Sequence, residues 1–119
     1  MSTNLQQFAE ADFCYLTTTG RISGRPHTIE IWFALHEHTL YILAGGREKS
    51  DWVKNILRHD AVQVKINGTS FTGNGRVVTD AAEDALARRI VFEKYTPRDS
   101  DDLTDWSRTS LPVAVDLLM

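Results

Sequence analysis

Along residues 27–35, Ile29, Ile31, Phe33 and Leu35 alternate with Thr28, Glu30, Trp32 and Ala34. A side-chain period of two puts each set on its own face of a strand. Residues 12–19 precede it as another strand, rich in aromatic and β-branched types and ended by Gly20. His36-Glu37-His38 turns the chain into a third strand at residues 39–44. Links this short exclude crossovers, so the three strands are expected as an antiparallel meander.

The period then lengthens. Val53, Ile56 and Leu57 recur at helical spacing after Ser50, a good N-cap, and Asp51, favourable in a first turn. A helix over residues 51–58 follows, with Arg58 and His59 suited to its end. Val62, Val64 and Ile66 restore the strand period up to Asn67-Gly68, a strong hairpin signal. The return strand, residues 71–78, contains Gly73 and Gly75, which predicts a bulge or a sharp bend. Asp80 and Glu83 match a reciprocal capping pattern before a helix over residues 81–95. Residues 98–110 read as a surface loop with a short turn around Trp106. Leu111, Val113, Val115 and Leu117 alternate in a closing strand. Six antiparallel strands and two helices fit a small closed or half-closed barrel, a mainly β (α+β) fold.

A chain of 119 residues is expected to form one domain, residues 1–119. Its charged fraction of 24% and hydrophobic fraction of 42% are ordinary for a globular protein. The formal charge of -3 disfavours nonspecific nucleic-acid binding, so basic residues clustered in turns have a local purpose. Cys14 is the only cysteine, which removes intrachain disulfides and thiolate-rich metal sites and predicts a packed, inert thiol. Residues 1–10 lack the apolar region of a signal peptide, and no apolar run is long enough to span a bilayer. A soluble cytoplasmic location is the expectation.

Two turns carry the candidate chemistry. The first is Gly20-Arg21-Ile22-Ser23-Gly24-Arg25-Pro26; the second is Gly45-Gly46-Arg47-Glu48-Lys49-Ser50, leading into the helix. Guanidinium groups, hydroxyls, flexible backbone and the positive end of a helix are the parts of phosphate and carboxylate sites. The two turns are expected to converge on one anionic ligand, with Arg21 and Arg25 both at the surface. Trp52 and Asn55, three apart on the helix, either pack or reach the ligand or the neighbouring strand. Glu30 and Trp32 share a strand face outside the main core, which lines a cleft or a subunit interface or is simply exposed. His36 and His38 lie in a turn without a supporting carboxylate cluster, so no metal site is expected there. No nucleophile elbow, P-loop or dinucleotide fingerprint is present, and any reaction would be carried by a bound cofactor.

Taken in order, these motifs resemble the deazaflavin-dependent nitroreductase family. The resemblance rests on Tyr15 through Thr19-Gly20-Arg21-Ile22-Ser23-Gly24-Arg25-Pro26-His27 to Phe33, and on Leu40-Tyr41-Ile42-Leu43-Ala44-Gly45-Gly46. It continues through Ser50-Asp51-Trp52-Val53-Lys54-Asn55-Ile56-Leu57, the Val62 to Gly68 strand and Gly73-x-Gly75-x-Val77. It implies a split β-barrel, as in flavin-binding pyridoxamine phosphate oxidases, and binding of coenzyme F-420. Arg21, Ser23, Gly24, Arg25 and Pro26 would then meet the cofactor's phosphate and polyglutamate tail. Ala44, Gly45, Gly46, Lys49 and Ser50 would border phosphate and ring, and Trp52 and Asn55 match the family's helix residues. Trp106 and Arg108 resemble the stretch before its last strand. The implied reaction is hydride transfer to a quinone, an enone or a nitro compound, with a proton from solvent or a tyrosine. Two other readings stay open: the same barrel holding flavin mononucleotide (FMN), and a non-catalytic carrier of flavin, haem or tetrapyrrole. A homodimer with Glu30 and Trp32 at its interface is also expected.

Overall fold

The computed structural model describes residues 5–118; the reading of the first four residues lies outside them. Seven strands form one antiparallel sheet: β1 (Cys14–Thr19), β2 (Pro26–Ile31), β3 (Ala34–His36), β4 (Thr39–Ala44), β5 (Ala61–Ile66), β6 (Thr69–Val77) and β7 (Leu111–Leu117). Their order is β2-β1-β5-β6-β7-β4-β3. The two edges, β2 and β3, are consecutive in the chain, separated only by Trp32 and Phe33. Two residues span only about 10 Å from Ile31 to Ala34, so the sheet must curl until its edges meet. That continuity makes the barrel.

The single strand expected at residues 27–35 is therefore two, and the count is seven rather than six. The break has a physical cause. Phe33 N–H donates to the Tyr95 hydroxyl (3.0 Å), and Lys94 Nζ donates to the Phe33 carbonyl (2.9 Å). Side chains of α2 (Ala81–Tyr95) thus satisfy backbone groups that a ladder would otherwise have to pair. Tyr95 also donates to the Asp12 carbonyl (2.8 Å), tying the entrance of β1 to the same point. The meander is split accordingly: β1 pairs with β2 and β3 with β4, at opposite ends of the sheet.

Two apolar clusters hold the layers. Leu16, Phe33, Leu40, Ile42, Val64, Ile66, Val113 and Val115 fill the barrel, joined by Val53 and Ile56 from α1 (Asp51–Arg58). Tyr41, Leu43 and Ala114, from the other face of β4 and β7, pack on Ala87, Val91 and Tyr95 of α2. β4 and β7 are buried on both faces and read as nearly continuous apolar runs. β5 has one covered face: Val62, Val64 and Ile66 are buried while Gln63 and Lys65 are exposed.

The expected hairpin at Asn67-Gly68 has positive φ at both residues, 49° and 83°, as a type I′ turn requires. Gly73 and Gly75 answer to close approach, since the registers of β6 run without an extra residue. A Cβ on Gly73 would lie 2.7 Å from the Asp116 carbonyl, and one on Gly75 would lie 3.0 Å from the Ile56 side chain. Half of the reciprocal cap of α2 forms. Asp80 accepts from Glu83 N–H (2.9 Å), but the Glu83 carboxylate goes to Arg76 and Tyr41. Within the expected loop lies a third helix, α3 (Thr104–Thr109). Its C-terminal carbonyls are capped by Arg88 Nη1, which donates to Ser107, Ser110 and Arg108 at 2.8 to 3.0 Å. Among the described residues no helix is long and apolar enough to cross a membrane.

Candidate functional site

The β1–β2 turn is closed by Gly20 N–H to the Arg25 carbonyl (2.8 Å) and by Gly24 N–H to the Gly20 carbonyl (2.9 Å), with Gly24 at φ 73°. Only a residue without Cβ takes that φ without strain. α1 enters from the opposite side, because Val53 and Ile56 bury in the barrel and leave Asp51, Trp52 and Asn55 facing the turn.

Asn55 is the bracket between them. Its amide donates to Thr18 Oγ1 (3.1 Å), and its Oδ1 accepts from both Arg21 N (3.1 Å) and Arg21 Nη1 (3.0 Å). The residue is only 4% exposed, so each of these bonds replaces water that the site excludes. Arg21 Nη2 then reaches Asp51 Oδ1 at 3.2 Å. The guanidinium is fixed by a neutral amide and one exposed carboxylate, and its Nε has no partner among the described residues.

The result is a cleft of about 430 Å³ between the turn and the first turns of α1, lined by both polar and apolar groups. Arg21, Ser23, Trp52 and Asn55, all expected at the site, line it together. Its remaining wall includes His27, Thr28 and Ile29 of β2 with Ile22 and Asp51. Of these, Asp51 was singled out in the sequence only as a first-turn residue of the helix, and Thr28 and Ile29 only as strand positions. Thr28 and Ile29 matter because β2 is an edge strand, a fact that only the sheet order reveals. Ser50 precedes α1 as expected, but its side chain makes no capping bond; its Oγ is turned toward Gly46, 2.5 Å from where a Cβ on that residue would be. The first-turn N–H groups of α1 therefore lack a side-chain acceptor, and the positive end of the helix is open.

The other expected residues are placed elsewhere. Gly24 sits at the tip of the turn and Arg25 is exposed, its N–H donating to Ser23 Oγ (3.2 Å). Pro26 lines a separate cavity with Ala61, Thr72 and Leu118 on the outer sheet face. Ala44 is buried, Gly45 lies against the Trp106 ring, and Lys49 is exposed. Arg25 and Lys49 carry no ion pair among the described residues. Arg21 departs from the surface position expected of it, being held in three bonds with a side chain 31% exposed. Trp52 does both things considered for it, packing on the barrel core and lining the cleft. Glu30 and Trp32 do line a cleft, with Trp106 and Leu43, farther along β2.

The tyrosines stand away from the Arg21 cleft. Tyr41 donates to Glu83 (2.6 Å) and Tyr95 to Asp12; burial, first among the causes, pushes each phenol up to about 12. Tyr15 lies on the outer sheet face. Burial likewise pushes the Cys14 thiol up to about 12, in keeping with a packed, unreactive side chain.

The model of the F420H(2)-dependent quinone reductase family matches residues 2–117 of the chain. No curated protein matches it in sequence. Among solved structures it resembles an F420-H2 dependent reductase, FDR-A, with a TM-score of 0.71 and 18% identity over 87% of this chain and 93% of that one. A candidate pyridoxamine 5′-phosphate oxidase of Listeria innocua gives 0.70 and 15% over 97% and 90%. A protein solved as a domain-swapped dimer gives 0.71 and 18% over 87% and 79%. At such identities the structures share a fold, the split β-barrel of the pyridoxamine phosphate oxidase type.

Proposed function

This chain belongs to the F420H(2)-dependent quinone reductase family, oxidoreductases that draw on reduced coenzyme F-420, and from that premise we propose that it passes a hydride to an electron-poor small molecule. A quinone, an enone or a nitro compound would serve as acceptor. The observation that carries the site assignment is the Arg21 cleft. A guanidinium held in place by Asn55 stands beside an uncapped helix start, with Arg25 and Lys49 nearby in sequence and free of ion pairs among the described residues. That donor set fits an anionic group such as a phosphate or a polyglutamate carboxylate.

On this reading, Arg21 and Ser23 bind the anionic part of the cofactor. Gly24, Arg25 and Pro26 border its tail, and Lys49 adds positive charge at the approach. Ala44, Gly45, Gly46 and Ser50 border the phosphate and ring, with Trp52 as an apolar wall and Asn55 as the brace that keeps Arg21 aimed. When bound, the deazaflavin supplies the hydride. The protein's part is to position, through a bracket that is already formed. With Tyr41 and Tyr95 engaged elsewhere, the accompanying proton comes from solvent.

The fold likeness to the Listeria protein keeps FMN as a second reading, since it too offers a phosphate and a tricyclic ring. The likeness to a domain-swapped dimer supports a homodimer. Titration of the purified protein with coenzyme F-420 and with FMN, followed by absorbance, tests the assignment. Tight F-420 binding with decay of the reduced cofactor on adding a quinone is expected. Tight FMN binding with weak F-420 binding would reverse it.

A further inference from the structure

A second cavity, of about 580 Å³, lies farther along β2 and has a different chemistry. Trp32 and Trp106 wall it, and the buried Leu43 and Leu103 form its apolar base. The two indoles meet edge to face, with centroids 5.7 Å apart. Trp32 is held from behind by Tyr95, stacked at 4.3 Å with 2° between the planes. The aromatic wall is thus fixed by packing.

Glu30, Asp101 and Asp102 complete the lining, and no lysine, arginine or histidine contributes to it. Asp102 accepts from the backbone and hydroxyl of Thr104 (2.9 and 2.6 Å). The carboxylates of Glu30 and Asp101 have no partner among the described residues. Two cations beside the Tyr95 ring are committed elsewhere. Lys94 donates to the Phe33 carbonyl and lies 3.8 Å from the centre of the Phe33 ring, while Arg98 pairs with Glu10 and Asp12. An apolar base selects a ligand with hydrophobic surface, indole faces favour a cation or a flat ring, and carboxylates without partners favour positive charge. The three preferences coincide in one kind of molecule.

We propose that the Trp32–Trp106 cavity binds flat aromatic cations and discriminates against aromatic anions of the same size. The cavity adjoins the ring position proposed above, since Gly45 lies against the Trp106 indole, but binding at it requires no cofactor and can be tested separately.

Calorimetric titration of the full-length protein with 10-methylacridinium and with anthracene-9-carboxylate provides the test. The cation is expected to bind at least tenfold more tightly than the anion, and to weaken as sodium chloride is raised. The double variant Glu30→Gln, Asp101→Asn alters exposed side chains and keeps the fold, which circular dichroism would check. It is expected to lose at least fivefold in affinity for the cation. Equal affinity for the two probes, or cation binding unchanged in the double variant, would overturn the proposal. Failure of coenzyme F-420 to bind would instead strike the functional reading and leave this result standing.

Discussion

Arg21 and Arg76 are both held by carboxylates, yet only one is saturated by them. Arg76 uses Nε, Nη1 and Nη2 in contacts of 2.7 to 3.1 Å to the carboxylates of Glu83 and Asp116. Tyr41 and Thr39 donate to those same carboxylates, so β4, β6, β7 and the start of α2 are latched into one network. Arg21 meets a single carboxylate oxygen, at 3.2 Å from an exposed aspartate, and otherwise a neutral amide. The first arrangement leaves little for a ligand to gain. The second fixes a cation beside a cleft with charge still to be neutralised. Counting arginines cannot separate these cases; counting the acceptors around each guanidinium can.

Four substitutions and one change of condition would sharpen or break that contrast. Asn55→Ala should have the largest effect, because it leaves the buried Thr18 hydroxyl and the Arg21 N–H without partners. A loss of about 2–4 kcal/mol in stability is expected, together with loss of cofactor binding; urea unfolding and titration would measure both. Arg21→Ala should weaken coenzyme F-420 binding by about 1.5–3 kcal/mol, roughly ten- to 150-fold, at a cost of about 1 kcal/mol or less in stability. Arg76→Ala should do the converse, with stability down by about 1–3 kcal/mol and affinity unchanged. If both variants lost affinity alike, the contrast between latch and site would be wrong.

Acid unfolding offers a gentler probe. Hydrogen bonds from Arg76, the largest cause, hold the Glu83 carboxyl down to about 2, from an ordinary 4.5. A lowered carboxyl pKa stabilises the fold above the unfolded value, and this contribution is lost as pH falls from about 4.5 toward 2. Arg76→Ala should flatten stability across that window, whereas Arg21→Ala should leave the slope in place. The smallest effect is expected of Arg25→Ala. Its side chain is exposed, so stability should change by less than about 0.5 kcal/mol, with a smaller affinity loss than Arg21→Ala.

The strand period was legible wherever one face of the sheet is covered, as in β5 with Val62, Val64 and Ile66 inward. The break at Trp32-Phe33 was not, because its cause sits sixty-two residues away at Tyr95. α3 was legible only as a short turn around Trp106, for a similar reason: it has no apolar period of its own, and Arg88 caps it from another helix. At the site, glycine, arginine and helix-start signals were enough to expect that the turn and α1 meet, as Arg21, Ser23, Trp52 and Asn55 do. What could not be read was who satisfies whom. Asn55 as the bracket, Asp51 on the guanidinium and Ser50 turned toward Gly46 are all choices among partners that local sequence leaves equivalent.

The central claim is that the anionic end of the cofactor is received by the braced Arg21 cleft. Titration of coenzyme F-420 into the parent protein, Arg21→Ala and Arg76→Ala, each shown to be folded, addresses it most directly. The account predicts affinity lost in the first variant and retained in the second. Full affinity in Arg21→Ala would contradict it and send the anion to another part of the barrel.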